Sequence, residues 1–599
     1  MKSIIALLLA PICNNKMFFL NIILLLVLPA MLNAFWINHE QYVTFSPIYN
    51  WGIKIRDGAN PPYIFFIPFV FSYLTSAISF LFREKGIFIF KCTIYLILIV
   101  VYAINIFTLF NFSTMISPAI VMLMTETNSG ETYEFLKTYM TNKDSLLSYS
   151  IIAITIIYII LSECRIKSTI KNKYLLILFF VISIYMFQRS IEPINAFCRL
   201  FKCRNLTETE LWYLTYPVNT NTLSNLIYST YSLHLSKQEM VKATQSTISV
   251  TDIITIKRAI NLIVIIGESY SKHHSSLYGY RLNTTPLLNN HVKSGQLFVF
   301  NNVISPYNLT SFVLRNLFSV NSIMDGENWA DYPAFPFLFK KAGYNVYFWD
   351  NQRTFGKADV SDFSVASFLF NDDITKASYS KFNKSTFSFD GDLIKDFFNN
   401  VSFKGNNNLL IFHLMGQHTM PEKRYPHIKQ FNVFSKDSIS RDDLDDRRKT
   451  LIANYDNATL YNDYVIDTII KQFSNDNAVI LYFSDHGEEI YDFRDHYGRT
   501  QEAEKTIDHL KYQYEIPFMI WCSKNFIKEF PNIAKDIDAS VDKPFMNDNI
   551  CQILFGLVDM DTKYYHEERN LISPNFKPYE QRFVQGTINF DKIRWSKIK

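Results

Sequence analysis

The sequence predicts two structural regimes in one chain: a multi-pass α-helical membrane domain of about five helices, then an α/β domain whose sheet is covered by helices. Three observations carry this. Nearly all the long apolar runs of the 599 residues fall before about residue 190, whereas acidic and basic residues thicken after it. From about residue 256, short β-branched apolar runs alternate with helical patterns, the signature of a parallel sheet with helices on both faces. Two of those runs end abruptly in carboxylates and histidine, at the end of a strand where open α/β sheets place their sites.

Membrane spans are expected at residues 17–36, 63–82, 87–110, 146–161 and 174–187. The run at residues 4–10 is too short to span and Lys16 interrupts it, and no small-residue cleavage site marks a signal peptide. Arg83 and Lys85 lie between the second and third spans, and Arg165, Lys167, Lys171 and Lys173 between the fourth and fifth. Five spans put these links on the side of Lys2 and Lys16, which the positive-inside rule makes the cytoplasm, so everything after the fifth span is outside. The divisions expected are a membrane domain over 1–190, a bridging segment over 191–256 and a soluble domain over 257–599. Trp212, Tyr213 and Tyr216 in the bridge suit either a membrane–water interface or packing under the soluble domain.

Composition excludes some classes. A net charge of +4 gives no case for nucleic-acid binding. Seven cysteines form no CxxC pair; Cys198 with Cys203, or Cys522 with Cys551, could bridge in an oxidising compartment, and the pairing stays open.

In the second half, strand-like runs occur at 262–266, 346–349, 409–414, 479–483 and 516–521, with helical patterns at 335–342, 392–398 and 461–473 between them. The charged segment 435–449 has no apolar period and reads as a solvated loop or helix. The run 262–266 breaks at Gly267 and delivers Glu268; the run 479–483 delivers Asp485 and His486. Carboxylate oxygens and an imidazole nitrogen on neighbouring strand ends are a donor set for a catalytic zinc ion, which also needs an open position for a nucleophile. Thr310 falls near the start of a helical pattern after Pro306, where it is either a helix cap, the commoner use, or a metal-bound nucleophile. His273 and His274, just past Glu268, read as loop residues.

The motifs GES with SSLYGYRLNTTP, the threonine at a helix start, LMGQH and SDHGEE occur in that order. Together with the five-span topology they make the chain resemble the membrane phosphoethanolamine transferases of Gram-negative bacteria, in the alkaline phosphatase and sulfatase superfamily. The resemblance covers nearly the whole chain and implies a sulfatase/alkaline-phosphatase-like sheet in a periplasmic domain, anchored in the inner membrane. It implies that Glu268, Thr310, Asp485 and His486 ligate zinc, one or two ions, and that Thr310 is the nucleophile. His418 and His496 resemble the pair of histidines that hold the phosphoryl group. Thr127 and Glu131 resemble polar positions of the donor-lipid site, although Leu123 stands where an asparagine is expected. Asn351 and Gln352 are placed on the acceptor side. The implied partners are phosphatidylethanolamine as donor, a lipopolysaccharide or related glycan as acceptor, and the bilayer.

Pro306 and Asn316 stand where lipid A-modifying members often carry a cysteine pair, so the chain looks more like the subgroup acting on core sugars. The rival readings are phosphoglycerol transfer, phosphodiester hydrolysis or a non-catalytic receptor. No Cys-x-Pro-x-Arg motif supports a true sulfatase, and a degenerate receptor should have lost one of the four residues.

Overall fold

A computed structural model describes residues 2–33, 43–44, 54–55, 61–112, 115–118, 120–121, 143–165, 173–215, 221–352, 372–402, 405–418, 420–499 and 506–595. It divides into two compact units, Met1–Gln238 and Glu239–Lys599.

The first unit is helical: α1 (Lys2–Asn14), α2 (Lys16–Leu32), α3 (Pro61–Ile78), α4 (Glu84–Phe112), α5 (Lys143–Arg165), α6 (Lys173–Leu200), α7 (Leu206–Thr215) and the first part of α8 (Thr222–Ile248). Among the described residues, four segments are long and apolar enough to cross a membrane: Ile64–Leu81, Glu84–Asn111, Ser145–Cys164 and Ile177–Leu200. A fifth exists if Leu8–Asn14 and Lys16–Leu32, bent by 83°, form one span. The expected first span, 17–36, coincides with α2 as far as the described residues reach, residues 34–36 lying outside them. At the break, Asn15 donates to Ser79 Oγ (2.9 Å) and interrupts the apolar run. The last span runs past residue 187, since α6 continues to Leu200 through Arg189 and Glu192. Trp212 and Tyr213 pack inside this unit, both stacked on Tyr228, with Trp212 Nε1 donating to the Ala196 carbonyl. Tyr216 lies outside the described residues.

The second unit is built on a seven-stranded sheet: β1 (Asn261–Gly267), β2 (Leu297–Phe300), β3 (Asn345–Asp350), β4 (Lys381–Phe382), β5 (Asn408–His413), β6 (Ala478–Ser484) and β7 (Phe518–Cys522), in the order β2-β7-β6-β1-β5-β3-β4. Strands β6, β1, β5, β3 and β4 pair in parallel. The expected all-parallel sheet is wrong at one edge, because β7 runs antiparallel to both β6 and β2. Helix Ile507–Tyr514 precedes β7 by three residues, and the antiparallel pairing of β7 with β6 places the start of β7 at the carboxyl end of β6.

The central strands are buried on both faces, which is why they read as unbroken apolar runs. Leu262, Val264 and Ile266 of β1 face one core, shared with α10 (Thr310–Phe318) and α11 (Phe335–Lys341), while Ile263 and Ile265 face another. That second core is shared with α13 (Asp390–Asn400) and α14 (Asp446–Gln472), and α9 (Pro286–Lys293) and α12 (Asp372–Ser378) complete the helices numbered here. The charged segment 435–449 resolves into a short 3-10 turn, Lys436–Ser438, and the capped start of α14, where Asp445 accepts from Arg448 N. Cys198, Cys203, Cys522 and Cys551 are all free thiols.

His273 and His274 are not solvated loop residues. They lie in a 3-10 turn, Lys272–His274, and His274 is buried between two carboxylates, with Nδ1 2.8 Å from Asp456 Oδ1 and Nε2 3.3 Å from Asp492 Oδ1. Burial by itself lowers the His274 pKa, but Asp456 and Asp492 override it and lift it to about 10. A histidine raised on folding contributes stability that is complete below its unfolded value of 6.5 and is lost as pH rises through 10. The thermal midpoint of a His274→Gln variant should therefore lie furthest below that of the native protein under pH 6.5, with the gap closing towards pH 10. A gap that widened with pH would refute this linkage.

Gly267 is the other pressure point. A Cβ there would lie 2.2 Å from the Tyr482 hydroxyl, which Asn462 holds from the far side at 2.7 Å. Gly267→Ala should cost about 1–3 kcal/mol of overpacking, seen as a lower thermal midpoint of the soluble unit.

Candidate active site

The pairing of β1 with β6 sets the site. Ser484 is in register with Gly267, and Asp485 N donates to the Gly267 carbonyl (3.0 Å), so Glu268 and the Asp485–His486 pair leave the sheet side by side. All three are fully buried, and one ligand atom from each lies within 4.8 Å of the others. Asp485 Oδ1 accepts from the backbone N–H of His486 (2.8 Å) and Ser269 (3.1 Å). Among the described residues its Oδ2 has no hydrogen-bond partner, and it forms a 3.0 Å ion-pair contact with His486 Nε2. Receiving the Ser269 N–H requires a turn at that residue, whose φ is +55°, a conformation costly for a side chain other than glycine.

His486 Nδ1 donates to the Gly487 carbonyl (2.8 Å), which leaves Nε2 with its lone pair directed at the carboxylates. Burial and Arg499 lower the basicity of this imidazole, yet Asp485 and Glu268 override them and raise its pKa to about 9. The two carboxylates thus favour a cation at Nε2, whether a proton or a metal. Burial also opposes ionisation of Glu268, but the positive charge around it, with His486 first, then His418 and Arg499, holds its pKa well below the usual range.

Thr310 is the first residue of α10. Its hydroxyl does not cap the helix: the N-cap is Leu309, and no side chain caps that end. Thr310 Oγ1 donates instead to Glu268 Oε2 (3.0 Å) and lies 3.2 Å from His486 Nε2. Of the two uses the sequence left open for this residue, helix cap and metal-bound nucleophile, the first is not the one the hydroxyl makes here.

The loop after β5 clasps Glu268 from the other side. Gln417 N donates to the Glu268 carbonyl (3.0 Å), and Gly416 (φ +50°) packs so close that a Cβ would lie 2.7 Å from that oxygen. His418 follows in this loop, and burial together with nearby Arg499 and Arg424 holds its pKa below the usual histidine value, despite the pull of Glu268. Gln352 reaches the site directly, its Nε2 donating to Glu268 Oε2 (3.1 Å) and to the Leu414 carbonyl (2.8 Å). Asn351 stands one layer back. Its amide bonds Asp390 (2.8 Å) and accepts from Phe387 N (2.7 Å), and Asp390 accepts the N–H groups of Met415 and Gly416. It therefore braces the loop rather than facing an acceptor.

His496 sits beside the short ladder of Glu489–Ile490 with Tyr497–Gly498; its carbonyl accepts from Tyr491 N and its N–H donates to Arg494 O. Thr127 and Glu131 lie outside the described residues. Two contributors went unnoticed in the sequence. Arg499 brings Nη1 to 2.6 Å from His486 Nε2, and its position three residues past His496 was the available signal. Asp390 carried none, being one carboxylate at a helix start.

Comparison with known proteins places these features. Residues 260–559, half of the chain, match the Sulfatase family. "Phosphoethanolamine transferase EptC" of Escherichia coli (strain K12) is 28% identical over 321 residues, 53% of this chain and 54% of that protein. "Phosphoethanolamine transferase EptA" of Helicobacter pylori (strain ATCC 700392 / 26695) is 29% identical over 341 residues, 56% of this chain and 61% of that protein. The chain thus spans little more than half the length of the curated relatives it matches. The integral membrane lipooligosaccharide phosphoethanolamine transferase A (EptA) of Neisseria meningitidis is 18% identical. It superposes with a TM-score of 0.53 over 93% of this chain and 97% of its own, which establishes a shared fold of apolar helices and an α/β domain. A parallel sheet whose strand ends carry Glu268, Asp485 and His486, with the matched span around it, makes this chain a member of the sulfatase family.

Proposed function

We propose that this chain transfers phosphoethanolamine from phosphatidylethanolamine to a lipopolysaccharide or related surface glycan, through a phosphorylated Thr310. The observation that carries the reading is Thr310 Oγ1, 3.0 Å from Glu268 Oε2 and 3.2 Å from His486 Nε2, at the start of a helix it does not cap. Two relatives named as phosphoethanolamine transferases support the choice of transferred group.

The donor set fits a zinc ion. Asp485 Oδ2 is buried without a hydrogen-bond partner among the described residues, His486 Nε2 faces the carboxylates where a metal would replace a proton, Glu268 is held ionised, and the Thr310 hydroxyl lies within reach. Glu268, Asp485, His486 and Thr310 would hold it. When bound, zinc lowers the pKa of a coordinated hydroxyl and offsets charge on phosphoryl oxygens.

This chain's residues do the rest. Gln352 and Gln417 fix Glu268, so the carboxylate presents Oε2 to the nucleophile. Thr310 Oγ1, oriented by that bond, forms the new bond to phosphorus as the bond from phosphorus to the diacylglycerol oxygen breaks, and the proton Thr310 loses ends on that oxygen, released as the alcohol. His418, kept neutral by burial and nearby cations, takes the proton of the acceptor hydroxyl that attacks the phosphorus on Thr310; the bond from phosphorus to Oγ1 breaks, and the same proton returns to Thr310. His496 is assigned to the phosphoryl oxygens with it, and Thr127 and Glu131 to the donor headgroup. Membrane-length helices keep enzyme and lipid substrates in one plane, at the inner membrane with the α/β unit in the periplasm, which lowers the entropic cost of encounter.

Thr310→Ala should abolish both transfer and the covalent intermediate, read by intact-protein mass spectrometry after incubation with donor lipid, while some zinc remains bound. Full transfer by that variant would sink the assignment. Asp485→Asn should lower the zinc content measured by elemental analysis, and chelation of the native protein should stop transfer until zinc is restored. Transfer that survives complete removal of metal would exclude the metal reading.

A further inference from the structure

Arg499 is the permanent cation of this site, and neither the sequence motifs nor the mechanism above uses it. It follows Gly498, whose φ of +103° suits glycine and turns the chain there. Its guanidinium places Nε against Glu488 Oε2 (3.1 Å), donates from Nη1 to the Asn308 carbonyl (3.0 Å), and brings Nη1 to His486 Nε2 (2.6 Å). Asn308 lies two residues before Thr310. Its Nδ2 donates to Gln513 Oε1 (2.9 Å), and Gln513 donates to Glu489 (3.2 Å), so the arginine and the nucleophile's loop belong to one net.

The contact with His486 differs in kind from the other two. Nε2 has a single lone pair, and it cannot serve both the arginine and a metal. When a metal takes it, the bonds to Glu488 and Asn308 still hold the guanidinium beside Thr310, and Nη1 loses one acceptor. The guanidinium side chain is only 15% exposed, and its planar fork matches the paired oxygens of a phosphoryl group. Its charge already reaches Glu268 and His418, on the other strands that border the site.

We propose that Arg499 binds a phosphoryl oxygen of the group that Thr310 attacks, exchanging His486 Nε2 for that oxygen. The proposal rests on the phosphoryl-transfer reading above. It differs from a structural role, in which Arg499 only neutralises Glu488.

The test uses the full chain in detergent, loaded with zinc, and inorganic phosphate as the probe. Arg499→Ala should bind phosphate at least about tenfold more weakly by calorimetry with its zinc content unchanged, and Arg499→Lys should fall between the two. The rate of Thr310 modification by donor lipid should drop about 10²–10³-fold in Arg499→Ala, the usual cost of losing one donor to developing charge, and added guanidinium should restore part of it. Native phosphate affinity in the zinc-loaded alanine variant overturns the proposal. So does a loss of zinc in both variants with no effect on phosphate affinity in the zinc that remains bound, because that result makes Arg499 a scaffold residue. Failure of the native protein to transfer phosphoethanolamine, with phosphate binding still dependent on Arg499, would remove the transferase reading and leave this one standing.

Discussion

Everything at the candidate site depends on the register between two parallel strands. Because Ser484 pairs with Gly267, the residues that follow each strand emerge at the same height, and Glu268 meets Asp485 and His486 without any long loop to position them. A shift of one residue would turn every side chain of β6 to the opposite face and separate the trio. The register is guarded by close approach: Gly267 lies against Tyr482, and Gly416 against the Glu268 backbone, at places where a Cβ would collide. The two cores on either side of the sheet give that register its stability, and the helix bearing Thr310 belongs to one of them.

Burying Glu268, Asp485 and Glu488 within one site is costly unless positive charge accompanies them. Arg499 and His486 supply it in the protein itself. The balance explains why the site attracts cations so strongly. Glu268 Oε1 and Asp485 Oδ2 face His486 Nε2, Glu268 Oε2 faces the Thr310 hydroxyl, and the same field that raises the basicity of His486 favours a metal ion there.

A second tier of residues holds this first set still. Asp390 never touches the ligand trio, yet it receives two backbone N–H groups of the loop that clasps Glu268, and Asn351 steadies it. His274 does similar work on the other flank, tying the segment after β1 to α14 through Asp456. Such residues were poorly legible in the sequence, because a lone aspartate or histidine carries no mark of the partner that folding brings to it. Gln352 shows the same limit: its position next to β3 was noticed, but its partner, Glu268, is 84 positions away.

The sequence alone determined the features that recur along the chain or lie close together in it. Apolar runs of membrane length, unbroken strands ending in carboxylates, and the order of the motifs depend only on local composition and spacing, so helices, strands and the main candidate residues could be read directly. Only the tertiary structure decided the rest. It turned β7 antiparallel to both of its neighbours. It bent the first apolar segment at Asn15. It released Thr310 from capping by bringing a carboxylate within 3.0 Å, and it drew Arg499 to His486. These outcomes depend on distances between residues far apart in the chain, and a linear pattern holds no record of such distances until the sheet sets them.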